Sequence, residues 1–284
     1  MRFCTMKPAL GTALPPETAD AADTPSSVGK ACRILRALTH LQQARLTDIA
    51  RATGLDKATL LRVLETLARE GFVVRDPDTK LYRGGPELQL AGAAALARAD
   101  TRTVVRPSLV RLAGVFGDTA ILSIPSGAES MCVDLELGRY PIRANYLEIG
   151  SRRLLGVGAG SLALLAFMPE RERDALLDIV VAQLQRTQRY PRIDLDLLQA
   201  KITQSRARGY VMLLEVVVER MGGIAVPIMG PDARPVAAIS IAALSDRIVD
   251  REAELAQALR QQAALCQALL RPTPAGVTRE EALA

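Results

Sequence analysis

The sequence predicts an α+β fold in two parts: a small helical domain closed by a β-hairpin, then a larger domain of antiparallel strands with flanking helices. Three observations predict it. Apolar residues recur at helical spacing from Ser26 to about Glu70, and glycines stand where the helical runs stop. Beyond residue 118, short β-type runs are interleaved with helical segments. The chain has no internal repeat, and strands mixed with helices in this way belong to the α+β class.

The first helix opens near Ser26, with Val28, Ala31, Ile34, Leu35, Leu38 and Leu41 at spacings of three and four. A short second helix is expected over 46–53, with Thr47 as its N-cap and Gly54 as its stop. Asp56 caps a third helix running over 57–70, which Gly71 ends. Two β-type runs, 72–75 and 80–83, flank Asp76-Pro77-Asp78-Thr79, which is turn chemistry.

Residues 86–99 are Ala/Leu-rich and helical, bridging the two parts, and a helix over about 103–116 follows. Strands are expected at 119–124, 130–136 and 141–147. The turn Gly156-Val157-Gly158-Ala159-Gly160-Ser161 opens onto a helix over 162–168, with further helices at about 170–184 and 194–208. Strands resume at 210–217, 223–229 and 235–242, and a long amphipathic helix over 246–270 closes the fold. This reading divides the chain into a disordered tail (1–25), an N-terminal domain (26–88), a linker helix (89–102), a second domain (103–271) and a disordered C-terminal tail (272–284).

At 284 residues, 49% hydrophobic and 24% charged, the chain has ordinary globular composition. It contains no run of about 18 uninterrupted apolar residues, so no membrane partner is expected, and its N-terminus lacks the apolar core of a secretory signal. Cys4, Cys32, Cys132 and Cys266 form no CxxC pair, which suits a reducing cytoplasm better than a disulfide framework or a zinc site. His40 is the one histidine, which excludes a His-based metal site; no metal or other cofactor is expected.

The basic excess is local. Residues 28–85 carry a net +5, against −1 before them and +1 after them. Such a field attracts phosphate backbones, although on charge alone a solvated basic surface explains it equally well. The third helix sharpens the reading. At about 100° per residue, Leu60, Leu61, Val63, Leu64, Leu67 and Ala68 share one broad apolar face, and Ala58, Thr59, Arg62, Thr66 and Arg69 the opposite one. The apolar face must pack on the first two helices. The other begins with small or hydroxylated residues able to approach base edges, and Arg62 is placed for a bidentate contact to guanine. This is the geometry of a recognition helix in the major groove of double-stranded DNA, a winged helix-turn-helix whose wing carries Arg75, Lys80 and Arg83. Thr47 and Lys57, at the starts of the second and third helices, complete the expected DNA-binding set.

The segments "SSVGKACRILRAL", "LTDIARATGLDKATLLRVLETLAREGFV" and "TKLYRGG" resemble the DNA-binding domain of the IclR family of bacterial regulators. The resemblance continues through "LLGVGAGSLALLAF", "RARGY", "GGIAVPI" and "PVAAISIAALSDRI", over roughly residues 26–270. It implies a GAF-like α+β effector-binding domain after the winged helix-turn-helix, assembly into dimers or tetramers, and control of catabolic genes by a small organic acid, often an aromatic one.

For the effector, the Gly-rich turn can be weighed on its own residues. Backbone N–H groups of Ala159, Gly160 and Ser161 at a helix start favour an anion such as a carboxylate, while a tight turn needing glycine only for its geometry is the alternative. The turn is neither a Walker loop nor a clean dinucleotide fingerprint. The resemblance implies pocket positions at Arg152, Gly158, Ala159, Leu213, Gly223, Ser240 and Ala242. A well-studied family pattern has acidic, thiol and second-serine groups where this chain has Leu213, Gly223 and Ala242, which implies a less polar pocket and an apolar or aromatic acid. Arg152 stands where that pattern is apolar, and Arg152 or Arg153 is able to supply the counter-charge; an exposed arginine with no ligand is the other reading.

An enzyme is not expected. "GAGSL" around Ser161 is not the GxSxG elbow, and no histidine is placed as its base. Glu280 and Glu281 lie in the tail, and Asp134 and Glu136, sharing a strand face, read as solvated charges. A GAF-like sensor without a DNA role is the remaining alternative, and it leaves Arg62 and the wing without a purpose.

Overall fold

The Ser26 hydroxyl accepts a hydrogen bond from the Gly29 N–H at 3.1 Å and so starts α1 (Ser27–Leu41). The computed structural model describes residues 26–96, 101–143 and 147–270, and its contacts divide the chain into two units, Met1–Arg98 and Ala99–Ala284. Both expected tails lie outside the described residues, as do 97–100 of the expected linker.

In the first unit, α1 is followed by β1 (Gln43–Ala44), α2 (Leu46–Thr53), α3 (Lys57–Arg69), β2 (Val73–Arg75), β3 (Tyr82–Gly84) and α4 (Pro86–Leu96). Gly54 ends α2 in the left-handed conformation, with φ of 67°. Asp56 caps α3 as expected, its Oδ1 accepting from the Thr59 N–H at 2.9 Å. Thr47 is not the cap of α2. Arg45 occupies that position, and its backbone N–H donates to Asp48 Oδ2 at 3.2 Å. The core is Ile34, Leu38, Ile49, Leu60, Leu64 and Val73. The buried stripe of α3 is narrower than expected: Leu60, Leu64 and Leu67 are buried, but Leu61 is 40% exposed and Ala68 faces solvent. The hairpin is antiparallel, and the two-residue β1 joins it through Gln43 opposite Arg83 and Ala44 opposite Tyr82.

The second unit runs α5 (Thr101–Phe116), β4 (Thr119–Ser126), β5 (Glu129–Glu136), β6 (Arg152–Leu154), α6 (Ala159–Ala166), α7 (Glu170–Thr187), α8 (Leu195–Arg208), β7 (Val211–Leu214), β8 (Met221–Met229), β9 (Pro235–Leu244), α9 (Ser245–Val249) and α10 (Glu252–Leu270). Its six strands form one antiparallel sheet in the order β6-β5-β4-β9-β8-β7. Strand alternation sorts residues by size. Ile224, Val226 and Ile228 of β8, with Ile239 and Ile241 of β9, pack with Leu109 and Leu112 of α5 and Leu259 of α10. The intervening Ala225 and Ala238 pack with α6, α7 and α8 through Leu162, Leu165, Val180 and Leu198. The large side chains fill one face of the sheet, and the small ones let α6 lie close on the other. This is the α+β architecture expected.

Three details differ from expectation. Residues 141–143 and 147 are not strand, 144–146 lie outside the described residues, and the sheet edge is instead the three-residue β6. The central helix starts at Ala159 rather than 162, because Gly158, with φ of 99°, serves as its N-cap. The last helix is broken between α9 and α10. Across the break Arg247 and Arg251 both turn to the buried Asp118, Arg247 at 3.0 and 3.1 Å and Arg251 at 2.5 Å.

Candidate functional site

In the first unit, the expected DNA-binding residues lie on one helix face and one hairpin. Lys57, Ala58, Arg62, Thr66 and Arg69 of α3 are exposed and Thr59 is half-buried, while Thr47 is exposed on α2. The Thr59 N–H and hydroxyl bonds to the Asp56 carboxylate hold it below the usual range, so the cap stays charged. Among the described residues no carboxylate pairs with Arg62. Arg69 has Glu70 at 3.6 Å, and the Thr66 hydroxyl donates to the Arg62 carbonyl at 3.1 Å, so both are partly engaged within the helix.

The wing is built around Asp76, whose Oδ1 accepts from the N–H groups of Asp78 (3.0 Å) and Thr79 (2.8 Å) and from the Thr79 hydroxyl (2.9 Å). Arg75 lies 5.4 Å over the Tyr82 ring, and Arg83 is exposed. Lys80, in the left-handed region with φ of 60°, folds its ammonium back onto the Pro77 carbonyl.

In the second unit a cavity of about 50 Å³, several times the room a single water needs, lies between the start of α6 and the sheet. Of the expected effector residues, Gly158, Ala159, Gly160, Ser161, Leu213, Gly223, Ser240 and Ala242 line it. Arg152 does not. Its guanidinium turns away to Glu129 at 3.2 Å and to the Ser126 hydroxyl at 2.9 Å. Its neighbour Arg153, on the opposite face of β6, is 8% exposed and lines the cavity. Residue positions not singled out beforehand also line it, among them Ser123, Ser130 and Cys132 from the sheet, Ser151, and Val216, Val217 and Val218 from the β7–β8 connection.

Missing side chains set the close packing here. A Cβ on Gly223 would stand 3.0 Å from that of Ala159, and one on Gly160 would stand 3.2 Å from Ser240 Oγ. The N-terminus of α6 carries no side-chain cap, and the Leu162 N–H is the first to bond within the helix, to Gly158 O at 2.8 Å. The N–H groups of Ala159, Gly160 and Ser161 precede it. At the other end Arg206 donates to the carbonyls of Ala166 (2.9 Å) and Met168 (3.4 Å). The Ser161 hydroxyl donates to the Leu154 carbonyl at 2.7 Å, a structural bond. Burial pushes the Cys132 thiol up to about 11, helped by the Asp134 charge and opposed by Arg153, so it is a protonated, unreactive wall group at neutral pH.

Asp134 is not a solvated charge. Its carboxylate is 2% exposed and takes Arg102 at 3.3 Å and Arg106 at 3.2 Å, both from α5, while Arg106 also pairs with Glu136. Among the described residues no group of three or more His, Cys, Asp or Glu is arranged to hold a metal, and no helix is long and apolar enough to cross a membrane.

A basic winged helix-turn-helix on one unit and a walled cavity on the other define a DNA-binding transcription regulator. The comparisons give its family. Residues 27–77 match the IclR helix-turn-helix domain and residues 93–267 the bacterial transcriptional regulator IclR C-terminal domain, so the chain belongs to the IclR family of transcriptional regulators. It is similar to the HTH-type transcriptional regulator XynR of Escherichia coli K12, 29% identical over 242 residues that span 84% of this chain and 94% of the relative. In structure it resembles the IclR regulator of Alicyclobacillus acidocaldarius, at 26% identity and a TM-score of 0.68 over 85% of this chain and 97% of that one. It shares its fold with an IclR homolog of Microbacterium hydrocarbonoxydans complexed with 4-hydroxybenzoate, at 22% identity and a TM-score of 0.67 over 86% and 99% of the two chains.

Proposed function

We propose that this regulator binds a specific operator through α3 and its wing and is switched by a small, largely apolar carboxylic acid held at the start of α6. Arg62 reads a guanine in the major groove, beside Ala58 and Thr59; Lys57, Thr47, Thr66 and Arg69 hold the flanking backbone, and Arg75, Lys80 and Arg83 carry the wing. One such module reads only a few base pairs, so the working unit is a dimer or tetramer on two-fold half-sites, acting in the cytoplasm on a catabolic operon. The residues from 103 onward serve as the GAF-like effector domain.

The observation that carries the acid is the uncapped start of α6 facing a cavity that the buried Arg153 also lines. Three N–H groups at a helix start and a guanidinium suit a carboxylate. Leu213, Ala242 and the valines of the β7–β8 connection suit an apolar body, and Ser240 offers one orienting hydrogen bond. The aromatic acid bound by the Microbacterium relative supports the ligand class.

The test compares each acid of a panel, beginning with 4-hydroxybenzoate, with its neutral amide, first by thermal shift and then by operator release. The acid is expected to raise the melting temperature and the amide to have little effect, and Arg153→Gln should abolish the difference. Equal binding of acid and amide would overturn the carboxylate reading while leaving the cavity a ligand site.

A further inference from the structure

We propose that Ser123 and Ser240 form a second polar subsite of the cavity, one that holds a hydroxyl group on the acid, so that the effector is a hydroxy acid. Ser123 lies on β4 and Ser240 on the adjacent β9. With Ile121 opposite Ser240 and Ser123 opposite Ala238, the two serines are diagonal neighbours on one face of the sheet. Both are more than nine-tenths buried, at 7% and 5% exposure, and both line the cavity.

Hydrogen bonding sets them apart from the other serines of the cavity wall, which are engaged. The Ser161 hydroxyl donates to Leu154 O at 2.7 Å, that of Ser130 donates to Arg153 O at 3.5 Å, and that of Ser151 accepts from the Glu148 N–H at 2.9 Å. Among the described residues the Ser123 and Ser240 hydroxyls make no hydrogen bond, to each other or to another group. They nevertheless converge. A Cβ on Gly160 would stand 3.2 Å from Ser240 Oγ and 3.4 Å from Ser123 Oγ, and glycine keeps side-chain atoms off that point. Buried hydroxyls without partners are costly, and two around one point suit a single oxygen that bonds to both.

That oxygen is not the carboxylate. The inference rests on the placement proposed above, in which the N–H groups of Ala159, Gly160 and Ser161 and the Arg153 guanidinium receive the acid group. Those donors match the roughly four places at which a carboxylate accepts. Arg153 Nη1 belongs to the Gly158 end of the turn, 3.4 Å from where a Gly158 Cβ would be. The two serines therefore require a second oxygen. A hydroxyl both donates and accepts, so it takes a bond from one serine and gives one to the other.

Calorimetric titration of the full-length protein compares benzoate with its three hydroxybenzoate isomers, phenylacetate with mandelate, and each acid with its amide. At least one hydroxy acid should bind about tenfold tighter than its parent acid, the effect of one added hydrogen bond. Ser123→Ala should erase that gain and leave the affinity for the parent acid unchanged. Because the hydroxyl it removes has no partner, this variant should also melt no lower than wild type without ligand. A lower melting temperature, or equal weakening of parent and hydroxy acid, would make Ser123 a structural residue and overturn the subsite. So would an undiminished gain in the variant, no gain for any hydroxy acid on wild type, or no binding by any compound. If amides bind as well as acids and the Ser123-dependent gain persists in both, the carboxylate reading fails and the subsite stands.

Discussion

Arg106 and Asp134 join α5 to β5 across 3.2 Å, and the two partners are unequally placed: the carboxylate is 2% exposed and the guanidinium 42%. The same arginine donates to the Leu135 carbonyl at 3.0 Å and pairs with Glu136, so one side chain fixes three consecutive residues of the strand. Because a buried charge that loses a partner is costly while an exposed one rehydrates, the two halves of the pair should respond differently to removal. Arg106→Ala, which leaves Asp134 with Arg102 at 3.3 Å, should cost about 2 kcal/mol, and Asp134→Asn only about 1 kcal/mol. Urea unfolding at neutral pH measures both; a larger loss for Asp134→Asn would contradict the asymmetry.

On DNA, the two kinds of basic residue should separate. Arg62→Ala is expected to weaken binding to a cognate operator by about 1–3 kcal/mol and to relax the choice of base at its position. Lys80→Ala should weaken all sequences alike, and only modestly, since its ammonium rests on Pro77 in the free protein; it should also flatten the salt dependence. Mobility-shift titrations on cognate and scrambled duplexes at several salt concentrations distinguish them. Undiminished cognate binding by Arg62→Ala would remove that residue from base reading.

Alkaline pH should act through Cys132. Its thiol stands at about 11 in the fold against an ordinary 9.0, so the native state holds this proton more tightly than the unfolded chain does. The resulting stabilisation is complete below about pH 9, declines as pH rises and is gone once pH passes about 11, a change of roughly 2–3 kcal/mol. The Tyr210 phenol and the Cys266 thiol are raised as well, both chiefly by burial, and add to the decline. Comparing urea midpoints at pH 8 and pH 11 between wild type and Cys132→Ala isolates the first contribution. Identical losses in the two proteins would assign the pH dependence to the other groups.

What was legible in the sequence was local chemistry. Gly54, Asp56 and the 60-64-67 stripe each act within one helix, and their roles follow from spacing alone. What escaped depends on a partner elsewhere in the chain. Arg152 and Arg153 differ by one position on a strand, and a one-residue step exchanges the faces; which of them looks inward is decided by the pairing of Met131 with Arg152, invisible until β5 and β6 are side by side. Asp134 reads as a surface charge because the arginines that enclose it lie 28 and 32 residues away. The two-residue β1 is too short to show alternation, and it exists only because β3 offers it an edge. Val216 and Val217 read as the end of a strand, which Glu215 interrupts with its left-handed turn.

The central helix α6 is electrically finished at one end and open at the other. Arg206 answers its carbonyl end through Ala166 and Met168, while among the described residues no side chain caps the opposite pole at Gly158. All eight residues of the helix are buried, so water does little to damp that imbalance, and its field emerges undiluted at the cavity. On the function proposed above, a carboxylate at Gly158 supplies that missing balance, and the domain registers a negative charge before it distinguishes the molecule that carries it.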